Sequence, residues 1–286
     1  MTKMSARMMR ISVAVCGFFY CCLPPTGAQT APATPERTPV IVELFTSEGC
    51  SSCPPADLLL QKLEAEQPLT RADIIGLEEH VDYWNHDGWI DPYSSPEWTQ
   101  RQLEYGELLK TQPYTPQMVV DGESQFVGSD GRDVALAIQK GASSPKTEVA
   151  INAGAPDAKD TQHFAVSIKK LAGETPGDVA EVWLAVTENG LRSSVNRGEN
   201  AGHVLAHVAT LRSLRKIGVA AGNGAGDSFT GEPRVKIDSH WNRENLAVVV
   251  FVQEKRSRKI IGAASIRITP RNGNPASASL VTDRAN

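Results

Sequence analysis

Two of the five cysteines in this 286-residue chain are separated by only two residues. Cys50-Ser51-Ser52-Cys53 follows an apolar run, Val40 to Phe45, and a short polar turn. Pro54 and Pro55 come next, then Ala56, Leu59, Leu60 and Leu63 at helical spacing. A C-x-x-C where a strand turns into a helix suits thiol–disulfide exchange. A thiol there faces unpaired N–H groups and the positive end of the helix dipole, which favour the thiolate, the attacking species. Two other chemistries use the same residues. A structural bond closing so short a loop removes little chain entropy. A zinc site needs a second C-x-x-C or a suitably spaced histidine pair, and neither follows. The spacing therefore favours a redox pair: Cys50 the exposed nucleophile with a lowered pKa, Cys53 the less accessible resolving thiol, Ser51 and Ser52 tuning both.

The other three cysteines, Cys16, Cys21 and Cys22, lie in a segment that reads as a secretory signal peptide over residues 1–28. Lys3, Arg7 and Arg10 precede an apolar stretch from Ile11 to Leu23, too short for a span of about 20 residues, and Ala28 offers a cleavage site. Cleavage there leaves Cys50 and Cys53 alone, so the exported protein has no disulfide framework. It also leaves 26 basic against 33 acidic residues, a net charge of −7, which argues against nucleic-acid partners. The expected location is periplasmic or secreted, with no integral membrane segment after cleavage.

Residues 29–38, rich in Pro, Thr and Ala, read as a linker. The next hundred residues alternate strand and helix signals. A strand over Val40 to Phe45 precedes a helix from about Pro55 to Glu66, and a second strand runs from Asp73 to Leu77. A helix capped by Ser94 or Ser95 begins at Pro96, a hairpin turns at Asp121-Gly122, and a last helix runs from Gly131 to Lys140. Helical patterning stops at 141–145. Seven strand-like runs follow between Thr147 and Ile268, separated by turns such as Asn189-Gly190, which predicts a β-sandwich. The tail, residues 271–286, has no periodicity.

Glu43 to Ala56, His80-Val81-Asp82-Tyr83-Trp84, Thr115-Pro116-Gln117 and Arg197 to Gly202 resemble a secreted bacterial thioredoxin-like family catalogued as a domain of unknown function. The resemblance runs over essentially the whole mature chain and implies a thioredoxin-like fold without supplying a substrate. The expected fold class is thus an α/β thioredoxin-like domain with the C-x-x-C over 39–142, followed by an all-β sandwich domain over 146–270. In that fold Glu43 is a candidate buried proton acceptor. Thr115-Pro116 is the candidate cis-proline bond facing the thiols. Gly49 departs from the thioredoxin pattern, which carries an aromatic before the first cysteine.

The reading that follows is an exported thiol–disulfide oxidoreductase acting on protein thiols and disulfides or small thiols, with no cofactor. One alternative is a copper-binding metallochaperone using Cys50, Cys53 and His80, because thiolates and imidazole suit Cu(I). Another is a non-catalytic binding protein built on the same scaffold. His203 and His207 lie four apart in a strand pattern, roughly 13 Å from each other, and so read as structural or surface residues. No P-loop, G-x-S-x-G or dinucleotide fingerprint is present.

Overall fold

The computed structural model describes residues 37–157, 160–221 and 226–268. The expected signal peptide, most of the expected linker and the expected tail fall outside them. The described residues belong to one compact unit.

Strand β1 (Thr38–Thr46) is apolar almost throughout because both its faces are covered. Val40, Val42 and Leu44 face helices α1 (Pro54–Glu66) and α3 (Gly131–Ala142). Ile41 shares the opposite face with Trp98 of α2 (Pro96–Leu109). The helix ends follow local chemistry. Pro54 and Pro55 occupy the first turn of α1, where no N–H is needed. The Ser95 side chain accepts from the Glu97 N–H at the start of α2, and Asp130 does the same for Asp133 at the start of α3.

Strand β2 (Ala72–His80) pairs parallel with β1, and β3 (Gln117–Val120) pairs antiparallel on the other side, followed by β4 (Ser124–Val127). The expected pairing of a thioredoxin-like α/β domain with a separate β-sandwich is not what the chain does. Strand β2 was expected to stop at Leu77. It continues to His80, and its free edge takes up β10 (Thr210–Ala220) in parallel, with Thr210 opposite Glu78. Beyond β10 lie β7 (Ala180–Glu188), β13 (Leu246–Glu254) and β14 (Ile260–Arg267), all antiparallel. The result is one mixed sheet of eight strands in the order β14-β13-β7-β10-β2-β1-β3-β4. A single apolar cluster joins its halves, uniting Ile41, Leu77 and Trp98 with Ala185, Val249 and Phe251.

The other strands are accessory. β6 (Thr161–Ile168) pairs with β5 (Val149–Ala153), β11 (Phe229–Gly231) and β12 (Arg234–Lys236). Phe164, Val166 and Ile168 of β6 pack on Val182, Leu184, Val248 and Val250 of the main sheet. A two-stranded ribbon, β8 (Leu191–Ser194) with β9 (Val204–His207), stands beside α1. No helix among the described residues is long and apolar enough to cross a membrane.

The α2 face of the sheet also buries charge. Arg101 Nε donates to Glu43 Oε2 at 2.6 Å, and the Tyr105 hydroxyl donates to Glu43 Oε1 at 2.5 Å. Glu79 lies 3.4 Å from the same Arg101 Nε. Burial, then the Glu43 charge, hold the Glu79 carboxyl well above its usual range, which favours its neutral form. Arg101 is the cation that makes this pair of acids tolerable. Arg101→Met should cost about 3–5 kcal/mol in urea unfolding, because it strands a buried charge. Glu79→Gln should cost much less; equal losses would show that Glu79 is ionised.

Candidate functional site

Cys50 and Cys53 are bonded to each other, with Cα atoms 5.5 Å apart. The turn carrying them is set by backbone bonds: Cys50 N–H donates to Ser47 O at 3.1 Å, and Cys53 N–H to Cys50 O at 3.2 Å. Cys53 then caps α1, accepting from Ala56 and Asp57, and takes helical angles despite the following prolines. The Ser52 hydroxyl lies 3.3 Å from Cys50 Sγ.

Cys50 is not the exposed sulfur. Both cysteines are fully buried. A loop about 150 residues further on, the segment 197–202, holds the turn. Asn200 Nδ2 donates to Glu48 O at 2.8 Å and to Cys50 O at 2.9 Å, so one side chain ties down both ends of the turn. Glu199 Oε2 accepts the Ser51 N–H at 2.9 Å. On the other side, a side chain at Gly49 would come 3.1 Å from Trp84 Cβ. Glycine at this position thus leaves room for the close approach of Trp84. Trp84 Nε1 also donates to Thr115 Oγ1 at 2.8 Å, and the Thr115–Pro116 bond is cis, as the sequence suggests.

Glu43 does not serve the cysteines as a proton acceptor. It faces the α2 side of the sheet, where Arg101 and Tyr105 take both its oxygens. Strand alternation explains this: Leu44 and Thr46 point to the α1 side, and Glu43 points away.

The polar groups on the α1 side come from other positions. Thr46 Oγ1 donates to Asp57 of α1 at 2.6 Å. Glu78 takes a hydrogen bond from Thr210 Oγ1 at 2.6 Å and meets His207 Nδ1 at 3.1 Å. His207 Nε2 meets Glu48 Oε1 at 3.1 Å, and Trp89 Nε1 donates to Glu48 Oε2 at 2.8 Å. His80 Nδ1 lies 2.7 Å from Asp91 Oδ2, which also accepts the Glu48 N–H. All these acids and both histidines are buried.

Charge settles accordingly. Burial alone would push His207 down, but the Glu78 charge and its hydrogen bonds to Glu48 and Glu78 raise it to about 9. Burial opposes ionisation of Glu78 as well, yet the His207 charge outweighs it and brings Glu78 to about 2. For Asp57 the balance falls the other way, although the His207 charge and the Thr46 hydroxyl oppose it. Burial and then the Glu78 charge raise it to about 7.

This architecture recurs in solved proteins. A crystal structure of a protein from Agrobacterium tumefaciens is similar, with a TM-score of 0.59 and 25% identity over 82% of this chain and 96% of that one. HBP35 of Porphyromonas gingivalis matches with a TM-score of 0.59 and 17% identity, over 87% of this chain and 81% of its own; at that identity the likeness bears on the fold. No curated protein matches. Residues 41–253 match the family model described as "Protein of unknown function (DUF1223)". The chain belongs to that family. The match takes in Cys50, Cys53, Glu78, His80, Asn200 and His207 together.

The sequence pointed to the two cysteines, the serines between them, Thr115 and Pro116. It did not point to Glu48, Asp57, Glu78, Asp91, Asn200 or Thr210. The copper-binding alternative placed His80 beside the sulfurs as a third ligand; its ring is engaged by Asp91 and turned towards Glu78. His207, expected to be structural or at the surface, is buried at the centre of this group. A signal was present in Glu78-Glu79-His80, three ionisable residues continuing an apolar strand without a turn residue.

Two expectations follow. Asn200→Ala removes two hydrogen bonds, about 1–3 kcal/mol of closure, and should speed reduction of the disulfide by small thiols about ten- to hundredfold. An unchanged rate would mean that the 197–202 loop does not control access. The second concerns Asp57, whose folded-state proton is released on unfolding between pH 3.8 and about 7. Stability should therefore fall as pH climbs through that window, by roughly 1.4 kcal/mol per unit at most. Asp57→Asn should flatten that fall while leaving the further decline between 6.5 and about 9 that His207 brings. Urea midpoints with the same slope in both proteins would contradict the assignment.

Proposed function

We propose that this protein is an exported thiol–disulfide oxidoreductase whose working group is the Cys50–Cys53 pair. The observation that carries the reading is the setting of that pair. The bond closes a four-residue turn at the N-terminus of α1, where it stabilises the chain little. Yet three hydrogen bonds from Glu199 and Asn200, far along the chain, are spent on holding that turn. A bond kept for stability has no need of such control over access.

In the reducing direction, the dithiol form attacks a substrate disulfide. The Cys50 thiolate forms a bond to one substrate sulfur, and the other leaves as a thiolate that takes up a proton. The Cys53 thiol then loses its proton and attacks Cys50 Sγ. The Cys50–Cys53 bond forms, the second substrate thiolate departs and is protonated, and two electrons have passed to the substrate. The Ser52 hydroxyl beside Cys50 Sγ can donate to the thiolate, and the end of α1 favours negative charge there. Run backwards, the same steps oxidise a substrate dithiol. Substrates of this chemistry are protein thiols and disulfides or small thiols, met outside the cytoplasm in the periplasm or beyond.

Equilibration in glutathione buffers should give a single two-electron transition. Cys50→Ser should abolish exchange, and Cys53→Ser should accumulate a mixed disulfide at Cys50. A pair that stays oxidised in every buffer short of unfolding would be a structural bond and would end this reading.

A further inference from the structure

The buried histidines behind the C-x-x-C turn carry a second, independent feature. His80 and His207 are each held on one side by an outer carboxylate and face Glu78 on the other. Asp91 Oδ2 holds His80 Nδ1 at 2.7 Å, and Glu48 Oε1 holds His207 Nε2 at 3.1 Å. The inner nitrogens, His80 Nε2 and His207 Nδ1, lie 3.4 and 3.1 Å from the two oxygens of Glu78. A metal-binding histidine has this form: one nitrogen on the ion, the other steered by a carboxylate. Here the form occurs twice around one shared acid.

A second observation points to a ligand. His80 Nε2 is fully buried and has no hydrogen-bond partner, although Glu78 Oε2 is within ion-pair distance. The two are misaligned for a hydrogen bond, yet a buried polar atom without a partner is costly. Something positive between them would satisfy both. Ligand atoms of Glu78, His80 and His207 all lie within 4.8 Å of one another. A tetrahedral ion with bonds of about 2.0–2.2 Å needs ligand separations of roughly 3.3–3.6 Å, close to the two spacings seen. Among the described residues this is the one such group, and neither cysteine is part of it.

We propose that Glu78, His80 and His207 bind one divalent transition-metal ion of the zinc class, through His80 Nε2, His207 Nδ1 and the Glu78 carboxylate. Two imidazoles and a carboxylate are borderline donors suited to such an ion, and Asp91 and Glu48 orient the rings. The site joins β2 to β9, and Glu48, two residues before Cys50, links it to the C-x-x-C turn. It does not depend on whether the cysteines exchange disulfides.

The test uses the purified protein with its disulfide intact, so that the sulfurs cannot ligate. After incubation with Zn²⁺ and gel filtration, elemental analysis should find one equivalent retained. Glu78→Gln and His207→Gln should lose it, and Asp91→Asn should weaken binding about ten- to hundredfold while keeping all three ligands. Co²⁺ in place of Zn²⁺ should give the visible bands of a tetrahedral N/O site in the wild-type protein, without thiolate charge transfer. That reading stands if the ligand variants fail to fold. No retained Zn²⁺, retention unchanged in folded Glu78→Gln and His207→Gln, or no visible Co²⁺ bands would each overturn the proposal.

Discussion

Burial of the Glu78 carboxylate is the constraint from which much of this structure follows. Glu78 sits where the strands of the N-terminal half meet those of the C-terminal half, opposite Thr210, and has no contact with water. A carboxylate in that position is tolerable only with several partners. Its backbone N–H bonds to Ala209 O, and its side chain takes Thr210 and His207. His207 in turn needs Glu48 on its far side, and Glu48 needs Trp89. Satisfying one acid thus draws in the β9–β10 corner, the loop around Trp89 and the turn that ends at Cys50. The sheet is continuous because this chain of obligations spans the seam.

The sheet keeps two buried polar systems apart by strand alternation. On the α2 face, Glu43 and Glu79 share Arg101 and Tyr105. On the α1 face, Glu78 and His80 share His207, Asp91 and Glu48. Neighbouring residues 78, 79 and 80 serve opposite faces, so a one-residue slip of β2 against β1 would exchange the two systems. Register here is fixed by charge as much as by apolar packing. The first system is centred on the Arg101 cation, while the second leaves His80 Nε2, a possible metal-ligating atom, without a hydrogen-bond partner.

Local elements were legible in the sequence, and their assembly was not. Proline and serine signals and apolar spacing located the starts of α1, α2 and α3 to within a residue or two, and the hairpin at Asp121-Gly122 was read from its turn. The break in patterning at 141–145 marks a change from helices to strands, and nothing local shows that β10 will return to β2. That junction rests on a single paired position, Thr210 with Glu78, more than a hundred residues apart. The site divided in the same way. Cys50 and Cys53 stand out because their spacing is their chemistry. Asn200 is one asparagine in a polar loop, and its role exists only once the fold brings it over residues 48–50. His207 was set aside because it was judged as a pair with His203, and four strand positions do keep those two rings apart. The partner that matters, Glu78, is remote in sequence.

The reach of Asn200 back to Cys50 has a consequence for how the protein comes into being. Chains are made from the N-terminus, so both cysteines emerge long before the residues that hold their turn. Until the 197–202 segment and the β9–β10 corner exist, the turn lacks its bonds to Glu199 and Asn200, and Glu48 lacks His207. The geometry around Cys50 is therefore completed only when the second half of the chain has arrived.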